Sequence, residues 1–249
     1  MNRMTAISLT GVSKRFGDAT ALADVSLQFP PQQVTALIGR SGCGKSTLLR
    51  VCNGLVAPET GKVSFNDKDL DYGNLPELRR NIGYAVQGTG LFPHLTASDN
   101  ITLVARLAGL EPGAAASRLE SLRDLTQLEP DLLTRYPHQL SGGQQQRVGL
   151  CRAMMMRPNV LLLDEAFAAV DPITRGDIHL SFLNLLAAEP TTTVLVTHDI
   201  REALLLADHL VLMDAGKVRL ASDKQALLQR YPDLAPEDLL SAINGGSHA

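Results

Sequence analysis

The sequence predicts an α/β fold with a mainly parallel core sheet, antiparallel strands near the N-terminus and an inserted α-helical lobe, and three observations carry that prediction. Val34 to Ile38 reads as an apolar strand that runs straight into a glycine-rich loop and then a helix. Short apolar strands of this kind recur with helices between them, the alternation that builds parallel sheets. From Thr96 to Arg135 the pattern changes to Leu and Ala at helical spacing, which marks the insert.

Taken in order, Ile7 to Leu9 and Val25 to Phe29 read as strands, and Pro30-Pro31-Gln32-Gln33 turns the chain into Val34 to Ile38. Ser46 to Asn53 has the pattern of a helix stopped by Gly54 and Pro58, and Ile82 to Val86 returns as a strand ending at Gln87. Pro112, Gly113 and Pro130 break the helices of the insert. A further helix runs from Gln144 to Arg157, against Pro158. Val160 to Leu163 and Thr193 to Thr197 follow as buried strands, with a helix around Ile178 to Ala187 between them. Leu210 to Met213 and Val218 to Leu220 flank Asp214-Ala215-Gly216-Lys217 as a hairpin, and a short helical tail ends in Gly245 to Ala249. One sheet needs strands from both sides of the insert. The expected organisation is therefore one domain over 1–249: a core of 1–87 and 158–220, a helical lobe of 88–157 and a tail of 221–249.

A hydrophobic content of 45% suits a sizeable core, and a net charge of -3 supplies none of the positive excess that holds nucleic acid phosphates. Cys43, Cys52 and Cys151 are odd in number and lack paired spacing, which argues against a disulfide framework or zinc site and for a reducing compartment. No run approaches the roughly 18 apolar residues of a membrane span, and Met1 to Thr10 lacks a leader pattern. The chain is expected neither to be secreted nor to cross a membrane by itself.

Gly39-Arg40-Ser41-Gly42-Cys43-Gly44-Lys45-Ser46 fits G-x-x-x-x-G-K-[ST] and has the strand before and helix after that the motif requires. Glycines let backbone N–H groups turn inward around phosphate oxygens, and the helix start adds further donors and a favourable dipole. This predicts ATP binding, with Lys45 reaching the β- and γ-phosphates and Ser46 binding Mg²⁺. Cys43 reads as a tolerated small residue that bound ATP would shield from thiol reagents. A plain glycine turn with a solvated Lys45 is the competing reading, and the strand-loop-helix context argues against it.

Val160-Leu161-Leu162-Leu163-Asp164-Glu165 puts two carboxylates where a buried strand emerges, the edge at which open α/β sheets bind ligands. Asp164 can hold Mg²⁺ through water, and Glu165 can orient or deprotonate an attacking water. Such a pair also ends strands for solubility alone; the phosphate loop favours the functional reading. Leu140-Ser141-Gly142-Gly143-Gln144 precedes a helix that Ser141 can cap, and its glycines expose donors that suit a second anion site.

The loop 39–46, Gln87, Leu140 to Gln144, Leu161 to Glu165, Asp171 and His198, in this order, resemble the nucleotide-binding subunit of an ABC transporter, a P-loop NTPase, over nearly the whole chain. The resemblance implies a head-to-tail pair of cassettes, homodimeric or mixed, in which Ser141 and Gly143 of one copy face the ATP held by Lys45 of the other. Thr47, Gly142 and Gln144 belong to the same nucleotide contacts by this likeness. It further implies that Gln87 senses Mg²⁺ and the attacking water, that Asp171 lies in the loop crossing the dimer interface and that His198 contacts the γ-phosphate. Phe16 stands where the family stacks an aromatic residue on adenine; it also reads as an ordinary core residue. Two departures are visible: Ala166 replaces the usual proline after the glutamate, and Phe167-Ala168-Ala169-Val170-Asp171 replaces the commoner form with leucine before the aspartate. Altered rates or dimer coupling are expected from them.

The same likeness implies separate transmembrane permease subunits docked near Gln87, an extracytoplasmic substrate-binding protein, and a peripheral place on the cytoplasmic face of the inner membrane. Gly90 to Thr96, Arg135-Tyr136-Pro137 and Asp171 to Arg175 resemble importers of glycine betaine, choline and related osmoprotectants. Importers of another small polar solute such as an amino acid, and soluble ABC ATPases acting on nucleic acid or ribosomes, are the alternatives. The latter usually carry two cassettes or a coiled-coil insert, which this chain is not expected to have.

Overall fold

The computed structural model describes residues 7–232 and 235, apart from 74, 87 and 169. The chain opens with β1 (Ile7–Phe16), β2 (Ala19–Phe29), β3 (Val34–Ile38), α1 (Lys45–Cys52), β4 (Thr60–Phe65) and β5 (Lys68–Asp69). It continues through α2 (Leu75–Arg80), β6 (Ile82–Ala85), α3 (Ala97–Leu107), α4 (Pro112–Leu125), two short 3-10 turns, α5 (Gly142–Met154), β7 (Val160–Asp164) and α6 (Pro172–Ala188). The closing elements are β8 (Thr192–Thr197), α7 (Ile200–Leu206), β9 (His209–Asp214), β10 (Lys217–Asp223) and α8 (Lys224–Arg230). They form two compact units, 1–75 with 192–249, and 76–191.

In the first unit, β3 lies between β8 and β9 and is parallel to both. Every residue of β3 and β8 is buried, as parallel strands covered on both faces require, which is why both read as unbroken apolar or β-branched runs. The antiparallel sheet runs β2-β1-β4-β5. Its hairpins turn on residues with positive φ: Gly17 joins β1 to β2, and Asn66 and Asp67 join β4 to β5. β9 and β10 close over Ala215 and Gly216 in the same way, where the sequence places a hairpin.

In the second unit β6 runs parallel to β7, again a fully buried strand. The helical segment contains α3 and α4, as its Leu and Ala spacing predicts. Arg118 on α4 is buried, and its guanidinium pairs with Glu189 just beyond α6 while donating to the carbonyls of Met154 (2.6 Å) and Met155 (3.3 Å). That one side chain joins the ends of α5 and α6 to α4 and satisfies carbonyls that a helix end leaves orphaned.

The boundaries differ from expectation where caps decide them. α5 begins at Gly142, not Gln144, because Ser141 caps it and both glycines enter the first turn. α6 begins at Pro172, with Asp171 as its cap, well before Ile178. β4, β5, α2 and α7 are further elements that hydrophobic periodicity did not single out. Residues 236–249, where the sequence places the end of the tail, lie outside the described residues.

Candidate nucleotide site

The loop after β3 is built so that two of its glycines admit no side chain. A Cβ on Gly39 would sit 2.2 Å from the Met213 carbonyl oxygen, and one on Gly44, at φ 108, would sit 2.3 Å from that of Ala21. The β9 backbone and the start of β2 therefore set the loop's path. Within it the Cys43 amide donates to Arg40 O (3.2 Å), and the Cys43 carbonyl accepts from Gly216 N (3.0 Å). Lys45, the first residue of α1, is buried, and its Nζ donates to Gly39 O (2.7 Å) and Arg40 O (3.0 Å). A buried ammonium held by neutral carbonyls favours an anion beside it, and Gly44 brings no side-chain acceptor to compete for the helix start. Arg40 and Ser41 are exposed, Gly42 adopts φ 78, and Ser46 and Thr47 follow half-buried on α1.

Cys43 departs from the expectation that ATP shields it. Its thiol is already buried in this loop, 3.8 Å from Lys45 Nζ, so protection from thiol reagents does not require ATP.

Ile38 and Thr197 are register partners, so Gly39 and His198 emerge together at one edge of adjacent parallel strands. His198 is exposed, and Asp199 after it caps α7 by accepting from Arg201 N and Glu202 N. Phe16, at the end of β1, is 52% exposed and carries Lys14 Nζ 5.5 Å from its ring centroid. That exposure removes the core reading, since a core phenylalanine is buried.

In the second unit Asp164 ends β7 and is buried, while Glu165 is half-buried with φ 49. The left-handed backbone is uncommon for a glutamate and turns its side chain off the strand. Ala168 N then donates to Glu165 O (3.2 Å), closing a turn with Ala166 at the position where proline is favoured. Phe167 is buried edge-on to His179 (5.2 Å between centroids) and tilted against Phe182 (5.6 Å), so the altered stretch is anchored on α6. Ala85 and Leu163 are paired, so the chain leaves β6 at the same sheet edge as Asp164; Gln87, two residues beyond, lies outside the described residues.

Ser141 Oγ accepts from Gln144 N (3.3 Å) and Gln144 Oε1 accepts from Ser141 N (2.9 Å), a reciprocal cap. Asp171 Oδ1 accepts from Ile173 N (3.1 Å) and Thr174 N (3.0 Å). Hydrogen bonds from the Thr174 side chain and backbone hold the Asp171 carboxyl below the ordinary carboxylate range. A depressed folded pKa gives stability that is present above the unfolded value and is lost as pH falls through the folded one. In melting curves, the advantage of the parent chain over Asp171→Asn should thus be present near pH 7 and shrink below about pH 4, the ordinary carboxylate value; equal differences at both ends would contradict this. The group is exposed, so the effect is small.

The first unit thus brings together the loop 39–47, His198 and β9, and the second joins the Ser141–Gln144 cap to the Asp171 loop. Among the described residues no group of three His, Cys, Asp or Glu side chains forms a metal cluster, and no helix is long and apolar enough to cross a membrane.

Known proteins resemble this chain over most of its length. The family model described as "ABC transporter" matches residues 22–168. The chain is 45% identical over 224 residues to the glycine betaine uptake system ATP-binding protein YehX of Escherichia coli K12, covering 90% of this chain and 73% of YehX. It is 38% identical to the choline transport ATP-binding protein OpuBA of Bacillus subtilis over 94% of this chain, and spans only 62% of OpuBA. Among solved structures, a dimeric post-hydrolysis state of the ATP-binding cassette MJ0796 bound to ADP and Pi superposes with a TM-score of 0.79 at 30% identity, covering 88% of this chain and 98% of that one. Loop, acidic strand end and capped glycine helix therefore have one explanation: the chain belongs to the ABC transporter family, as an ATP-binding cassette.

Proposed function

We propose that this cassette hydrolyses ATP to ADP and phosphate and that the reaction powers import of an osmoprotectant or related quaternary ammonium compound. The observation that carries the ATP reading is the buried Lys45 ammonium, held on carbonyls at the head of α1 behind a loop with no room for side chains at Gly39 and Gly44. On binding, β- and γ-phosphate oxygens take up Lys45 and the loop N–H groups of 39–47. Glu165 accepts a hydrogen bond from the attacking water and draws its proton, and His198 donates to the γ-phosphate from the same edge as Gly39. Gln87 acts as the sensor joining the lobes, and Phe16 offers its exposed face to adenine.

Ser46 and Asp164 supply hard oxygen donors, the set that Mg²⁺ takes alongside phosphate and water, and Gln87 adds an amide oxygen. The donor set fits; when bound, Mg²⁺ offsets charge on the β- and γ-phosphates. In this reading Ser141, Gly142, Gly143, Gln144 and Asp171 of a second cassette complete the site, and the domain works as a core of 1–87 and 158–220 with a helical lobe of 88–157. A groove of about 370 Å³ in the second unit, lined by Ile82, Tyr84, Val104 and Met156 together with Arg80 and Arg152, offers separate permease subunits a largely apolar seat. Such docking makes the chain peripheral to the membrane on its cytoplasmic face, with an extracytoplasmic binding protein selecting the solute.

The substrate class rests on likeness to YehX and OpuBA. Uptake of radiolabelled glycine betaine, choline and carnitine should fall to background in a strain lacking the gene and return with the intact gene. Unchanged uptake of all three, with loss of an amino acid instead, would replace the osmoprotectant reading with that of another polar-solute importer.

A further inference from the structure

Gly143 is packed by Thr174, a residue to which the sequence assigns no role of its own. A Cβ built on Gly143 would lie 2.2 Å from Thr174 Cγ2, 3.5 Å from Ile178 Cδ1 and 3.7 Å from Thr174 Cβ. The Thr174 methyl thus fills the volume that a side chain at 143 would need. The other arms of Thr174 point to the Asp171 loop: its amide donates to Asp171 Oδ1 at 3.0 Å, and its hydroxyl is hydrogen-bonded to the same carboxylate. Thr174 is β-branched, so one χ1 angle sets methyl and hydroxyl together. Neither group moves without the other.

The surrounding packing leaves the pair little freedom. Gly143, Gln146 and Val148 on α5 and Ile178, Ser181 and Phe182 on α6 are all buried. Arg147 Nη2 and Asp177 Oδ2 stand 3.9 Å apart between the two helices. Ser181 Oγ donates to Thr126 O (3.1 Å), at the end of α4. A small displacement of the Asp171 loop is therefore passed to the start of α5 at one contact.

We propose that Thr174 is a positioning residue that sets Ser141 and Gly143 relative to the Asp171 loop, so that the two parts of the cassette presented to a second copy move as one. The proposal rests on the reading that Ser141 and Gly143 complete the partner's ATP site. It assigns Gly143 a second reason to be glycine: its missing side chain seats Thr174. Thr174 touches no nucleotide in this account and acts through Gly143 and Asp171.

The test is a rescue experiment on the full chain in a Glu165→Gln background. ATP affinity of the isolated chain, ATP-dependent dimer affinity and melting temperature are measured for the parent, Thr174→Ser, Thr174→Val, Gly143→Ala and the double variant Gly143→Ala/Thr174→Ser. Gly143→Ala should weaken the dimer about tenfold, the size of coupling that touching residues show in double-mutant cycles. Thr174→Ser, which removes the colliding methyl and keeps the hydroxyl, should restore the double variant to within about threefold of Thr174→Ser alone, well inside that tenfold coupling. Thr174→Val keeps the methyl and loses the hydroxyl, and should weaken the dimer while leaving ATP affinity of the isolated chain unchanged. If Gly143→Ala does not fold, Thr174→Val carries the test.

No recovery in the double variant, with a dimer defect in Gly143→Ala, would place the clash on the partner's nucleotide and overturn the inference. So would a Thr174→Val chain that dimerises like the parent, or one that loses dimer and melting temperature only in proportion. A parent chain that stays monomeric with ATP would overturn the dimer reading itself, and this inference with it.

Discussion

Glu165→Gln is expected to bind ATP within about threefold of the parent while its turnover falls roughly 10²- to 10⁴-fold, the usual worth of a positioned general base. The side chains are nearly isosteric, so the backbone at φ 49 and the turn closed by Ala168 N have no reason to change. What is lost is the carboxylate: an amide oxygen still accepts a hydrogen bond from water but takes no proton. Steady-state phosphate release read beside equilibrium ATP binding checks this, and parent-like turnover would remove Glu165 from the catalytic role. The variant Ala166→Pro leaves the carboxylate in place, so it separates the residue's chemistry from the stiffness of the turn.

Lys45→Ala is expected to lower ATP affinity by at least about 30-fold, because truncating one partner of a buried, hydrogen-bonded charge pair costs about 2–5 kcal/mol. The loss has two origins. Phosphate oxygens lose their only buried cation on this loop, and the Gly39 and Arg40 carbonyls lose the donor they share in the chain as described. The second effect loosens the loop before any nucleotide arrives. Equilibrium binding of ATP measures the sum, and hydrogen exchange across 39–47 without nucleotide isolates the second part. Unchanged affinity would move the phosphate site away from this loop.

The sequence made the phosphate loop legible because three independent constraints coincide there. The strand before it is an apolar or β-branched run buried on both faces, the glycines stand where the β9 and β2 backbones approach, and the lysine opens a helix. Asp164 and Glu165 were legible as a strand end for the same reason. The Asn66-Asp67 turn between β4 and β5 was a missed signal, since a two-residue loop with positive φ at both positions favours such residues. The early start of α6 was likewise written in Asp171-Pro172, a capping acid followed by the proline that first helical turns accept.

Other features had no sequence signal to read. Thr174 falls within the stretch Asp171 to Arg175 but has no role of its own there, and its place against Gly143 follows from how α5 crosses α6. The core or exposed state of Phe16 depends on where β1 stops, which bulges along its pairing with β2 decide. Burial of Cys43 depends on the fold of the loop itself. Periodicity and motif spacing report local backbone and surface preference, whereas these three properties are set by tertiary contact.

The central claim is that the loop around Lys45 is half a nucleotide site, completed by Ser141 and Gly143 of a second copy. Light scattering of the Glu165→Gln chain with and without ATP and Mg²⁺ tests it most directly. A monomer without nucleotide that becomes a dimer holding one ATP per chain is the predicted result; a chain that saturates with ATP and remains monomeric would contradict the claim.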